Sequence, residues 1–223
     1  MRISGFDFPL FHGTSSIFLE GIRTRGLGGT NIIRDWGVYE FVAELSQLID
    51  ETCADLDGYT FERIAMQVTG NSNFQHGDVY LSPSRGVAAR YAATNRYGSE
   101  IISEAMLRVE RMRDHDGVRE LLQRFPDISS LVDITPTPVL VTLDAAYKYR
   151  YSTEHGERAD ALIDELCAAF RDQPEMFAVV YQQHNLRLAD VVPFEELRLD
   201  RLEVTGSISG FPVIDIKPLA AGP

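Results

Sequence analysis

Cysteine is scarce in this chain: Cys53 and Cys167 are the two it has among 223 residues. They lie far apart, each within a helical pattern, and neither has a Cys-x-x-Cys or histidine neighbour. That spacing argues against a disulfide framework or a cysteine-based metal site. Two buried thiols and a reducing compartment are the expectation, with no metal cofactor. Long apolar runs are also missing. Nothing approaches the roughly 18 residues of a membrane-crossing helix, so no membrane association is expected. No basic stretch followed by an apolar core and a cleavage site opens the sequence. The expected location is the cytoplasm, or delivery by a secretion system that needs no signal peptide. Basic residues are in deficit, 21 against 33 acidic, for a net charge of −12. Such a surface repels phosphate backbones on average, and no long basic run offsets it, so broad nucleic-acid binding is disfavoured.

A hydrophobic content of 44% and a charged content of 24% are those of an ordinary folded domain. There is no internal repeat, low-complexity segment or linker, and residues 1–223 read as a single domain. A short apolar run, Phe8 to Phe11, leads into a helical pattern over 15–26 that ends at Gly26. Further helical spacing appears over 39–54 and 60–68, and this block, about 38–70, reads as an insertion covering a cleft. A polar loop over 69–77 precedes a strand at 78–82. Pro83 and Ser84 open a helix in which Val87, Ala88, Tyr91 and Ala92 share a face, directing Tyr91 inward. Helices are expected over 100–112, 116–124 and 157–171. Strands are expected over 139–143, 177–184 and 199–206. Helices and strands mix without regular alternation, which favours α+β over a doubly wound sheet.

Three short motifs carry chemistry: His12-Gly13-Thr14 at a strand end, Val79-Tyr80-Leu81 on a strand, and Tyr91 on the helix that follows. Together, in this chain order, they resemble the ADP-ribosyltransferase superfamily, in the branch that includes diphtheria toxin and the poly(ADP-ribose) polymerases. The resemblance covers about 8–30 and 76–95, and more weakly 138–205; Asp78 stands where the family often has Gly. It implies a split antiparallel β core surrounded by helices, with NAD as co-substrate. It further implies that His12 bonds an adenosine-side ribose hydroxyl and that the Gly13 backbone holds the nicotinamide carboxamide. Tyr80 and Tyr91 would then sandwich the cationic nicotinamide ring, where stacking and ring-face attraction add. Thr14 and Ser15 are candidates for hydroxyl contacts, although Ser15 or Ser16 also suits a helix cap. Ser82 suits a ribose contact or a turn bond.

The third member of the family's signature is a Glu on a late strand, about nine residues before a Val-x-x-x-x-Leu boundary. Val192-Pro-Phe-Glu-Glu-Leu197 resembles that boundary, and counting back gives Gln183. Within the expected strand 177–184, Tyr181 and Gln183 share one face and Gln182 and His184 the other. The count favours Gln183, with Gln182 and His184 as rivals. Gln can bond a ribose hydroxyl but cannot serve as an ionised base. Glu100 and Glu104 are alternative sources of charge.

The leading expectation is a mono-ADP-ribosyltransferase with His12, Tyr91 and Gln183 as its catalytic set. A protein or small-molecule acceptor is favoured over nucleic acid. Toxins, effectors and defence proteins are common among such domains, which leaves an antitoxin or immunity partner open. The alternatives are a catalytically silent module that binds NAD or ADP-ribose, and an NAD-dependent RNA 2′-phosphotransferase. The last expects arginines and histidines at spacings not found here.

Overall fold

The computed structural model describes residues 8–52, 61, 77–144 and 147–219. Its organising strand is β3 (Pro138–Leu143), the apolar run Val139-Leu-Val-Thr-Leu, which is buried along its length apart from Pro138. An apolar run of this length, covered on both faces, is the pattern of an interior strand. It lies between β1 (Leu10–Ser15) and β6 (Leu197–Ile208), and β7 (Phe211–Pro218) completes a four-stranded antiparallel sheet in the order β1-β3-β6-β7. The β6–β7 hairpin turns at Ser209 and Gly210, both at positive φ (51° and 82°). Two such residues make the tight turn whose twist matches the flanking strands.

A second antiparallel sheet holds β2 (Tyr80–Leu81), β5 (Leu186–Leu188) and β4 (Tyr151–Ser152), in the order β2-β5-β4. Tyr80 lies opposite Arg187, which lies opposite Ser152. The two sheets touch at one bridge, where Phe11 and Ser82 exchange backbone hydrogen bonds of 2.9 and 2.8 Å. The fold is therefore mixed helix and strand with antiparallel pairing, as α+β requires.

The chain divides into two compact units: Met1–Thr30 with Asp78–Gly98 and Pro136–Pro223, and Asn31–Gly77 with Ser99–Thr135. The first contains both sheets. Helix α1 (Leu19–Arg25) follows a 3-10 turn at Ser16–Phe18. The second unit is helical among its described residues. It holds α2 (Ile32–Asp35), α3 (Val38–Thr52), α5 (Glu100–Arg111), α6 (Asp116–Arg124) and α7 (Pro126–Ser129). Phe41, Leu45 and Ile49 of α3 are fully buried there, at the helical spacing the sequence displays. The helical block foreseen at 38–70 falls in this unit, which also takes in Ser99–Thr135. The helix expected at 60–68 lies outside the described residues except for Phe61, as do Cys53 and most of the polar loop. Cys167 is buried and free. Among the described residues no helix is long and apolar enough to cross a membrane.

In the first unit α4 (Arg85–Thr94) lies on one side of the large sheet, in a cluster of Phe11, Ala88, Ala89, Ala92, Leu140 and Leu202. A larger core gathers Leu10, Leu81, Val141, Leu143 and Leu186 with Ile163 and Leu166 of α8 (Asp160–Asp172) and Phe177 of α9 (Pro174–Val180). At its margin Arg150, 9% exposed, makes two hydrogen bonds to Glu196, 2.6 and 3.2 Å long, and lies 5.0 Å from the Tyr147 ring centre. A buried guanidinium stripped of its carboxylate keeps its desolvation cost. Glu196→Gln is expected to lower unfolding free energy by about 1.5–3 kcal/mol, the range for hydrogen bonds to charged groups. Urea titration measures it, and no loss would show the pair to be energetically idle.

Candidate functional site

The site is built on the end of β1. Side chains alternate along that strand, so Leu10, His12 and Thr14 face the larger core, while Phe11, Gly13 and Ser15 face α4. Backbone groups alternate as well. The N–H and C=O of Phe11 point to Ser82, on the side of β1 away from β3, and those of Gly13 must point the same way.

Helix α4 crosses β1 at very short range. A Cβ built on Gly13 would lie 2.1 Å from the Ala88 carbonyl oxygen and 3.0 Å from the Ala92 nitrogen. Gly13 thus has a structural cause, the helix backbone seated against it. Alanines at 88, 89 and 92 make the approach short. The crossing also sets the site: Gly13, next to His12, touches Ala92, next to Tyr91. Beyond the helix, the Ser15 hydroxyl donates to the Arg96 carbonyl at 2.9 Å and fixes the chain that leaves α4. Gly13→Ala is expected to cost about 1–3 kcal/mol by overpacking, roughly 2–12 °C in Tm. Gly86→Ala, on the same helix with no atom closer than 4.0 Å, is expected to stabilise slightly. Scanning calorimetry of the two variants tests this, and equal small effects would contradict the close crossing.

His12 joins β1 to β2. Its Nδ1 lies 2.9 Å from the Tyr80 carbonyl oxygen. A carbonyl only accepts, so Nδ1 carries the proton and Nε2 is left as an acceptor. Burial pushes the His12 pKa below its ordinary value, and the bond to Tyr80 offsets this in part. A depressed histidine pKa means that the unfolded chain takes up the proton first as pH falls. The stability this gives is complete above the unfolded pKa of about 6.5 and is lost below it, by at most about 1.4 kcal/mol per pH unit. His12→Gln should therefore lose less stability than the native chain between pH 7.5 and 5.5. Urea titrations at the two pH values test it, and parallel losses would contradict a lowered His12 pKa.

The other expected site residues fall into two groups. Tyr80 is half-buried on β2, and Tyr91 is 41% exposed. The expectation that Tyr91 points inward is corrected: α4 lies too close to the sheet for a ring between them, so alanines face the strands and the tyrosine takes the flank. Thr14 is buried beside His12. Ser82 is buried, and its hydroxyl accepts a hydrogen bond of 3.0 Å from the Ser84 N–H. That is the turn bond of the two alternatives. Ser84 is the N-cap residue of α4 by position, without a side-chain cap bond. The Ser16 hydroxyl accepts from the Thr137 N–H at 3.0 Å.

The strand expected at 177–184 is not formed. Pro174 starts helix α9, and Phe177 is buried against Phe8 and Phe170 at ring-centre distances of 4.7 and 5.2 Å. Proline suits a first helical turn, and this aromatic anchoring overrides the β preference of Val179-Val-Tyr. Tyr181 to His184 form a turn, closed by the His184 N–H donating to the Tyr181 carbonyl at 3.0 Å. Strand alternation therefore does not assign faces to Gln182, Gln183 and His184. Gln183 is exposed and Gln182 half-buried. The His184 ring lies 5.1 Å from that of Tyr181, and its buried Nδ1 has no hydrogen-bond partner among the described residues. Glu100 and Glu104 lie on α5 in the helical unit, where Glu104 pairs with Arg108 at 2.6 Å.

One pair went unread in the sequence. Arg187, the cross-strand neighbour of Tyr80, forms an ion pair with the Asp78 carboxylate at 2.7 Å. The alternation Leu186-Arg-Leu188 is the signal that would have found it, as a short half-buried strand. No family model matches this chain, and neither a curated protein nor a solved structure matches it significantly.

Proposed function

We propose that this protein is an NAD-dependent mono-ADP-ribosyltransferase. The observation that supports this most is the crossing of α4 over Gly13, which brings the neighbours of His12 and Tyr91 into contact while His12 binds the Tyr80 carbonyl. These two contacts support the reading that the three separated pieces of the motif act at one strand end. In this reading the fold is the split β core of that superfamily. The acceptor Nε2 of His12 takes a hydroxyl of the adenosine-side ribose, and the Gly13 backbone takes the nicotinamide carboxamide. Tyr80 and the exposed ring of Tyr91 hold the nicotinamide between them. Thr14 and Ser15 act by shaping the strand end.

The reaction breaks the bond between ribose C1′ and the nicotinamide nitrogen, and the electron pair leaves with nicotinamide. An acceptor nucleophile then bonds to C1′ and releases its proton to solvent. Gln183 is the third member in this proposal, orienting the ribose without charge. The acidic surface suits a protein or small-molecule acceptor, the working location is the cytoplasm or a delivered target cell, and an antitoxin-like partner fits the toxin or effector role. The exposed position of Gln183 favours a second reading, a silent module that binds NAD without cleaving it.

Incubation with labelled NAD separates the two: release of nicotinamide with label on an acceptor supports the transferase, and binding without release supports the module. Tyr91→Ala should weaken NAD binding by about 0.5–1.5 kcal/mol, the value of one stacking face. Tyr97→Ala should change it far less. Isothermal titration of both variants reads the difference, and equal effects would count against the site.

A further inference from the structure

We infer that Asp78 supplies the carboxylate that the Gln183 position lacks, bonding a ribose hydroxyl of NAD during glycosidic cleavage. The inference rests on the transferase reading.

Three observations carry it. Asp78 lies in the bend two residues before Tyr80, at the entry to β2. The pairing of that strand with β5 continues past Tyr80, since the Leu188 N–H donates to the Val79 carbonyl at 2.8 Å. One face of this sheet carries Tyr80, Arg187 and Ser152, whereas Leu81, Leu186, Leu188 and Tyr151 turn to the core. Asp78 pairs with Arg187, the cross-strand neighbour of Tyr80, which puts its carboxylate on the side of the proposed stacking ring.

The carboxylate is also held in place. Arg187 Nε lies 2.7 Å from Asp78 Oδ2, and the two side chains are 27% and 21% exposed. Asp78 Oδ2 is buried and, apart from this ion contact, has no hydrogen-bond partner among the described residues, so the carboxylate keeps acceptor capacity for a ligand hydroxyl. A half-buried anion fixed beforehand stabilises a developing cation without reorganising, which is the efficient form of electrostatic catalysis. The C1′ centre gains positive character as the nicotinamide bond breaks, so the anion acts in the transition state.

The test compares Asp78→Asn with the native chain and with Asp144→Asn. Asp144 forms an exposed ion pair with Arg198 elsewhere on the surface. The readouts are kcat and KM for nicotinamide release, the Kd for NAD, and Tm. Asp78→Asn is expected to lower kcat roughly 10–1,000-fold, with Kd and Tm little changed and Asp144→Asn fully active. Full activity in Asp78→Asn overturns the inference alone. Loss of NAD binding in step with the rate makes the pair a brace for the sheet and also overturns it. If Asp78→Asn does not fold, Asp78→Glu decides, because it keeps the ion pair and moves the oxygens: a lowered kcat with intact binding supports the inference, and a full rate contradicts it. A native chain that neither binds NAD nor releases nicotinamide overturns the transferase reading itself, and this inference with it.

Discussion

The approach of helix α4 to residue 13 is the constraint on which the rest of the site depends. The Ala88 carbonyl occupies the space that any side chain at this position would need. Everything near the strand end follows from that contact. The helix face on the sheet is reduced to alanine, Tyr91 is displaced to the exposed flank, and the chain beyond the helix returns to the Ser15 hydroxyl. The strand-to-helix turn is fixed from the other side by the Ser82 hydroxyl on the Ser84 N–H and by the Phe11–Ser82 bridge. A displacement of α4 by the width of one methyl group would alter all of these together.

The polar links around this contact are few and specific. His12 reaches across the parting of the two sheets to the Tyr80 carbonyl, and desolvation lowers its pKa, which favours the neutral imidazole. Neutrality matters for the proposed chemistry. An imidazole with its proton on Nδ1 has an acceptor on Nε2, whereas an imidazolium offers only donors. Just before β2, Asp78 forms an ion pair with Arg187 of β5, the cross-strand neighbour of Tyr80. The strand end thus joins one neutral acceptor, one aromatic face and one anchored carboxylate on a rigid antiparallel frame. Sites on strands and helices hold such geometry better than sites on loops.

Much of this was legible in the sequence, and the unread parts have physical reasons. The strand at 139–143 showed itself as an apolar run, and the helices at 39–54, 100–112 and 116–124 showed helical spacing; all four were found with small shifts at their ends. The glycine at 13 was legible as a close-approach residue, but its observed neighbour is the helix backbone. Strand β4 spans two residues, too short for any periodicity to register, and β5 shows a single alternation over three. Helix α9 was misread because Val179, Val180 and Tyr181 favour strands locally. The burial of Phe177 among Phe8 and Phe170 is a long-range effect that no local pattern displays. With residues 174–180 helical, strand alternation assigns no face to Gln183.

The central claim is that the end of β1 with His12, together with Tyr80 of β2 and Tyr91 of α4, grips a nicotinamide ring. Saturation-transfer NMR of NAD with the native protein tests it most directly, because the effect on each ligand proton follows its proximity to the protein. The account predicts the strongest transfer at the nicotinamide ring protons and its loss when free nicotinamide is added in excess. Transfer confined to the adenine protons, or none at all, would contradict it.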